Sequence, residues 1–262
     1  MITDIGWSGL AASLALVALA VVISLVRHLG LERSLVWAAT RAIAQLLAVG
    51  LVLQLIFEAD HSIAWAFAWV GVMIVVAGDT VRRRAPEVPE LGRLAIAAFT
   101  LAALVALGVL FGLGVFPVEA RTVVPSGGLI VGNSLAATVL VARRAVAELQ
   151  EHRDEIEARL ALGLDSEQAS APYVRAAIRT AIIPQIESTK VVGLIALPGA
   201  MTGLILAGVD PIDAVRVQAA VMFLVLGAVA TAVTVVGLGI RRRLFSPDQR
   251  LLVAPLVAPP GH

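Results

Sequence analysis

The sequence predicts an all-α protein, a polytopic transmembrane bundle of about seven helices with its N-terminus outside the cell and its C-terminus inside. The first observation is composition, because 59% of the 262 residues are hydrophobic and only 15% are charged. Mean hydropathy is +0.93, well above that of a soluble domain. The second observation is a series of long apolar runs, and the third is a strongly one-sided distribution of arginine.

The apolar runs define the predicted spans. A bilayer core of about 30 Å requires about 20 apolar residues in a helix. Runs of about that length occupy residues 7–26, 35–57, 63–81, 94–116, 123–141, 191–208 and 214–240. The chain opens without the basic start of a signal peptide, so we expect the first run to remain as an anchor. Pro198-Gly199 interrupts the sixth run and predicts a break or bend there.

The orientation follows from the basic residues. Seventeen of the 20 lysine and arginine residues follow the first, third, fifth and seventh runs, which all end on the same predicted side. Arg121 and Arg216 fall on the opposite side, and Arg41 lies within the second run. Because basic loops are retained in the cytoplasm, the arginine-rich side is predicted to be cytoplasmic.

One long polar segment, residues 143–190, separates the fifth and sixth runs. Apolar residues recur in it at helical spacing, and Glu148 with His152 and Glu155 with Arg159 are neighbours on successive helical turns. Gly163 is suited to end a helix, and Asp165 followed by Gln168 is suited to begin the next. The segment therefore predicts two cytosolic helices joined by a tight turn, and an ordinary solvated hairpin is the simplest interpretation. We treat 1–262 as a single domain and predict a disordered tail at 246–262.

The sequence offers few residues for catalysis. Without cysteine it has no disulfide, thiolate nucleophile or iron–sulfur cluster. Its four histidines lie in different loops, and no phosphate-binding glycine-rich loop precedes its single lysine, Lys190. Basic residues occur in short clusters without interleaved aromatic residues, which argues against nucleic-acid binding. We therefore predict no catalytic residue and no resident cofactor, and any ATP would be bound by a partner subunit.

Polar side chains inside the apolar runs are candidates for a transport path. A charge at mid-membrane costs about 2.5–3.5 kcal/mol on the insertion scale, and such residues usually face a protein interior or a cavity. The residues concerned are Arg41, Gln45, Gln54, Asp79, Asn133, Ser134, Thr138 and Thr202, with Glu187, Ser188, Thr189 and Lys190 at the entrance to the sixth run. Hydrogen bonding between helices is the alternative explanation for each polar residue. Arg41 and Asp79 lie near span ends, where reaching toward the interface or pairing with each other would explain them.

The polar segment also carries a motif. The sequence from Glu157 to Gly163 resembles the EAAxxxG pattern of ABC-transporter permeases, with Arg159 in place of the second alanine. Pro184 resembles the proline that closes this pattern, although it lies about two helical turns further along. The resemblance implies that Glu157, Ala158, Gly163 and Pro184 contact an ATPase subunit.

Three further stretches resemble the FetB (YbbM) family of ABC permeases. They are RAIAQLL at 41–47, VGNS at 131–134 and VGLIALPGAMTG at 192–203, and the similarity covers nearly the whole chain. Members of this family are similar to iron exporters that work with a separately encoded ATPase, and a plant branch is linked to aluminium tolerance. The polar residues in the second, fifth and sixth runs, together with the break in the sixth, predict a transport path along Gln45, Asn133, Ser134, Pro198, Gly199, Met201 and Thr202. Met201 and Asn133 are compatible with transient metal contact, but the metal ligands stay unassigned.

The expected protein is thus the permease subunit of an ABC transporter in the cell (inner) membrane. We expect it to export iron or a related metal cation, to form a homodimer in contact with membrane lipid, and to be driven by a separate ATPase subunit. The alternative is a secondary transporter of a small solute driven by an ion gradient. Such folds usually contain paired broken helices in two related halves, and the sequence shows one clear break. An intramembrane enzyme is a third class, disfavoured by the absence of an acid, base or nucleophile pair.

Overall fold

A computed structural model describes residues 7–193 and 197–252, and this part of the chain forms nine helices. They are α1 (Trp7–Val26), α2 (Glu32–Glu58), α3 (Ser62–Arg84), α4 (Leu91–Gly112), α5 (Ala120–Glu151), α6 (Arg153–Ala161), α7 (Ser166–Val191), α8 (Gly199–Leu206) and α9 (Pro211–Leu244). After α9, residues 246–252 turn back on the helix, and Ser246 N donates to Arg250 O at 2.8 Å. The rest of the predicted tail lies outside the described residues.

Five helices are long and apolar enough to cross a membrane, namely α2, α3, α4, α5 and α9. Helix α1 coincides with the first predicted span, although its searched part, Ala12–Val26, is shorter than the other five. The predicted sixth span, 191–208, is not one continuous helix. Helix α7 ends at Val191, and α8 begins only at Gly199, after Pro198 in an extended conformation. The break expected at Pro198-Gly199 is therefore present, because α8 starts there.

The core lies between α3, α4, α5 and α9, and α7 packs against α5 and α9. Phe99, Val123, Ile130 and Val229 are fully buried among these helices. Helix α1 packs only against α2 in the described part of the chain, and α8 packs only against α9. Among the helices that carry predicted path residues, α5 belongs to the core, whereas α2 and α8 lie at its edge.

Glycine permits close helix contacts in this core, for example at Gly127 and Gly239. A Cβ added at Gly127 would lie 2.4 Å from Val70 Cγ2, and one added at Gly239 would lie 2.5 Å from Leu94 Cδ1. Side chains at these positions would separate α5 from α3 and α9 from α4. Further along α5, a Cβ added at Gly132 would meet no described atom within 4 Å.

Arginine-bearing segments meet at one end of the bundle. Arg143 Nε on α5 donates to the carbonyl oxygen of Arg84 at the end of α3, at 2.8 Å. Arg241 in the last turn of α9 pairs with Glu167 in the first turn of α7, at 2.8 Å. We call the end that carries Arg84, Arg143 and Arg241 the basic end.

Large apolar side chains cover much of the outer surface. Trp37, Leu46, Leu51, Leu55, Leu104 and Phe223 are exposed. Apolar surface on this scale does not face water in a soluble monomer, and it suits contact with lipid or another membrane protein. The fold is that of a multi-pass membrane protein.

The orientation of the bundle can be tested with reporter fusions. We expect fusions after Arg84, at Glu157 and after Arg242 to report a cytoplasmic location, because these sites share the basic end. Fusions at Asp60 and Asp210 should report the opposite side. A cytoplasmic signal at Asp60 would contradict the predicted orientation.

Candidate coupling hairpin and transport path

Helix α6 ends in a complete C-terminal capping motif. Gly163 has φ +89°, a left-handed conformation that glycine adopts without the steric penalty of a side chain. Its N–H donates to Leu160 O at 2.9 Å, and the N–H of Leu164 donates to Arg159 O at 3.2 Å. These two bonds form a Schellman motif, which satisfies carbonyls at the helix end and fixes the direction in which the chain leaves. The cap predicted at Gly163 is confirmed.

The turn between α6 and α7 presents an apolar tip. Helix α7 begins where the Asp165 carboxylate accepts a hydrogen bond from Gln168 N at 2.7 Å. Leu162, directly before Gly163, is 81% exposed. The segment 152–177, from the start of α6 to the last turn before Ile178, is called the coupling hairpin below. Its tip is short, held at both sides by caps, and apolar at Leu162.

Aromatic contacts hold α6 onto α7. The His152 ring stacks on Tyr173 with a centroid distance of 4.5 Å, and the Arg159 guanidinium lies 5.5 Å from the same ring centroid. Ile156 is fully buried beneath them. Burial raises the pKa of Tyr173 to about 12, so its hydroxyl is neutral at physiological pH. Packing of these groups makes the hairpin a compact unit.

The coupling hairpin is joined firmly to the transmembrane helices. Helix α5 runs without interruption from Ala120 to Glu151, from the bundle to the hairpin. Glu167 on α7 is bound to Arg241 on α9, and Ser166 N donates to Gln249 Oε1 at 2.6 Å. Force applied at the hairpin tip would therefore reach α5, α7 and α9.

The remaining motif residues occupy different parts of this region. Ala158 is exposed on α6, and Glu157 pairs with Arg153, with Nε and Oε1 2.7 Å apart. Pro184 lies within α7, 18 residues after Ser166, which corresponds to about 27 Å along the helix axis. The structure does not bring Pro184 to the hairpin tip with Gly163.

The register of α7 is set by its contact with α5 and α9. A Cβ added at Gly237 would lie 2.4 Å from Ile178 Cγ1 and 3.4 Å from Val141 Cγ2, so these three residues lie at the same level. That level is close to the basic end, because Arg143 follows Val141 by two residues. The remainder of α7 therefore runs back along the bundle.

Side-chain burial shows that this second half of α7 stays close to the bundle. Ile178, Ile182, Gln185 and Thr189 are partly buried at helical spacing. On other faces Glu187 and Lys190 are exposed, with Lys190 Nζ 2.8 Å from Glu187 Oε1. The sequence suggested only an entrance position for this pair, since its depth depends on packing between distant helices.

Two neighbouring path candidates on α5 point in different directions. Asn133 is exposed, and its Nδ2 donates to Leu129 O at 2.8 Å. Ser134 is fully buried, as is Thr138 one turn later, and neither hydroxyl has a hydrogen-bond partner among the described residues. Asn133 is therefore available to a path or partner, whereas Ser134 faces the bundle interior.

The other path candidates do not converge on one pocket of the single chain. Gln45 is exposed on α2. On α8, Met201 is partly buried and Thr202 Oγ1 donates to Pro198 O at 3.2 Å, with Gly199 as the first helical residue. Helices α2 and α8 make no contact with each other in the described part of the chain.

Of the two explanations offered for Arg41 and Asp79, the one in which they pair with each other is wrong. Asp79 instead accepts from Arg82 and Arg83 of its own helix, at 2.6 and 2.7 Å. Within the described residues, no group of three or more histidine, aspartate or glutamate side chains could hold a metal ion.

Comparison with known proteins identifies the family. The family described as "Uncharacterised protein family (UPF0014)" matches residues 7–245. The chain belongs to this family. The membrane protein STAR2 of rice, also of UPF0014, is 39% identical over 217 residues, which are 83% of this chain and 76% of STAR2.

Two bacterial relatives are similar over most of their length. The Bacillus subtilis membrane protein YjkA is 34% identical over 85% of this chain and 88% of YjkA. The Escherichia coli protein named probable iron export permease protein FetB is 33% identical over 94% of this chain and 95% of FetB. The predicted resemblance to the FetB family is thereby confirmed. No solved structure matches the chain.

Proposed function

We propose that this UPF0014 protein is the membrane-spanning permease subunit of an ABC transporter that exports iron or a related metal cation. The observation that carries the proposal is the coupling hairpin, a capped apolar tip connected directly to α5, α7 and α9. The relative named as a probable iron export permease supports the cargo. A relative in Arabidopsis thaliana, 35% identical, is named for aluminium sensitivity, which also suits a metal cation.

The hairpin supplies a simple means of coupling. With the basic end in the cytoplasm, Leu162 enters a groove of the ATPase subunit, and the caps at Gly163 and Asp165 keep the tip rigid. Movement of the ATPase on binding or hydrolysing ATP then displaces α6 and α7 together, because Ile156 and Tyr173 are packed between them. Helix α5 transmits the displacement into the membrane.

A second copy of the chain completes the transport path. The exposed polar groups Asn133, Glu187 and Lys190 would be poorly placed against lipid, since polar groups in hydrocarbon require a protein or water partner. A two-fold homodimer covers such surfaces and presents two hairpins, one for each ATPase subunit.

The proposal is tested by reconstitution. The permease is co-purified with its ATPase subunit and placed in liposomes, and Fe²⁺ accumulation is followed under anaerobic conditions with ATP on the ATPase side. We expect accumulation with ATP and none with a non-hydrolysable ATP analogue. An ion-gradient transporter would instead accumulate Fe²⁺ without ATP when a proton or sodium gradient is imposed, and would lose this activity with an ionophore. That result would overturn the proposal.

A further inference from the structure

The ion pair between Glu187 and Lys190 lies deep in the membrane part of the fold. Ile178 marks a level near the basic end, shared with Val141 and Gly237. Glu187 follows Ile178 by nine residues, which corresponds to about 13 Å along α7. An equal number of residues back along α5 from Val141 leads to Gly132, next to Asn133. Since half of a bilayer core is about 15 Å, Glu187 lies close to the midplane.

This pair is exposed where charge is costly. The side chains of Glu187 and Lys190 are 58% and 62% exposed in the single chain. A charged residue near the midplane costs about 2.5–3.5 kcal/mol on the insertion scale, and such residues face a cavity or the interior of a bundle. Lipid is therefore not the environment of this face of α7. A water-filled cavity within the assembled transporter satisfies both charges.

The helical conformation is interrupted immediately after this pair. Helix α7 ends at Val191, and α8 begins at Gly199. Transporters place ion and substrate sites near the midplane beside discontinuous helices, whose free backbone carbonyls contribute ligands. Glu187 lies one turn before such an end. A negatively charged carboxylate beside a helix end at this depth suits a hard cation rather than an anion or an apolar solute.

We propose that Glu187 is the cargo-binding carboxylate of the transport path, that the cargo is a divalent metal cation, and that Lys190 is the counter-ion that replaces the cargo after release. When the cation arrives, the Lys190 ammonium leaves the carboxylate and is solvated in the aqueous cavity. When the cation leaves, Lys190 returns to the carboxylate. The Glu187 carboxylate is then never left without a cationic partner, which would be costly in this environment. This inference rests on the proposed function and specifies its substrate class.

The experiment uses the assembled permease and ATPase complex and Fe²⁺ alone as the probe. Binding is measured by anaerobic equilibrium dialysis without ATP, and transport is measured in liposomes. We expect Glu187→Gln to weaken Fe²⁺ binding at least about tenfold, as for the loss of groups that support a metal site. We expect Lys190→Gln to bind Fe²⁺ at least as tightly as the wild type, because the competing ammonium is gone, but to transport it more slowly.

A matched control is available on α9. Asp213 and Arg216 form an ion pair of the same spacing, with 2.9 Å between Nη1 and Oδ1, near the opposite end of the bundle from Arg241. Asp213→Asn should leave binding and transport unchanged. Binding and transport are expressed per folded complex. The amount of folded complex is determined by thermal melting and by retained binding of the ATPase subunit.

The outcomes separate a cargo site from a structural ion pair. If Glu187→Gln and Lys190→Gln weaken binding equally, or if neither changes it while the wild type transports Fe²⁺, the cargo site is overturned and the proposed function stands. If the wild-type complex itself shows no ATP-driven Fe²⁺ transport, the proposed function fails and the cargo site with it. Opposite effects of the two variants on binding would support the exchange of Lys190 for the cation.

Discussion

Gly163→Val is expected to uncouple ATP hydrolysis from metal transport while the protein still inserts into the membrane. Gly163 has φ +89°, and a β-branched residue in this left-handed conformation is strained by about 1–3 kcal/mol. Apart from its chain neighbours, no described atom lies within 4 Å of a Cβ added there, so the penalty comes from the backbone and not from a clash. The Schellman motif would open and Leu162 would be redirected. The measurement is Fe²⁺ transported per ATP hydrolysed in the reconstituted complex.

Two companion variants separate backbone strain from contact. Gly163→Asn should retain coupling, because asparagine tolerates the left-handed region better than other side chains. Leu162→Asp leaves the fold intact, since the side chain is 81% exposed, but removes the apolar anchor. Loss of a central anchor costs about 2 kcal/mol, which is about thirtyfold in affinity for the ATPase subunit. Normal coupling in both Gly163→Val and Leu162→Asp would refute the docking role of the hairpin.

Asn133→Ala and Ser134→Ala are expected to have opposite effects, although the residues are adjacent. Asn133 is an exposed polar group within an apolar span, and its removal should abolish most Fe²⁺ transport with little change in thermal stability. Ser134 is fully buried with an unpaired hydroxyl. A buried polar group without a partner costs about 1–3 kcal/mol, so Ser134→Ala should raise the free energy of unfolding and keep transport.

The two alanine variants control for each other, because both lie on the same turn of α5. Transport is measured in liposomes, and stability is measured by thermal melting in detergent. If both variants lose transport together with folded protein, Asn133 serves to hold helices together and does not line the path. If Asn133→Ala transports at the wild-type rate, its place in the path is wrong.

Much of the fold could be predicted because its determinants are local. The length and apolarity of a run decide whether it can cross a bilayer, and predicted spans such as 35–57 and 63–81 lie within helices α2 and α3. The end of α6 could also be predicted from local sequence. Glycine adopts the left-handed conformation at 163 readily, and Asp165 can cap the helix that follows. The sixth span was harder to predict, because α7 is too polar to be recognised by hydropathy and the chain breaks before α8.

Composition, apolar runs and local motifs were enough to predict a multi-pass membrane protein that resembles the FetB family and carries a capped hairpin after its fifth apolar run. Which polar residues occupy which surface, in contrast, depends on how the helices pack. Asn133 and Ser134 are indistinguishable by position in a span, but their directions around α5 place one outside and one in the core. The depth of Glu187 depends on Ile178 packing against Gly237 of α9, a contact between residues far apart in sequence. The local sequence does not predict the register between two helices, because that register is set by the fit of their side chains.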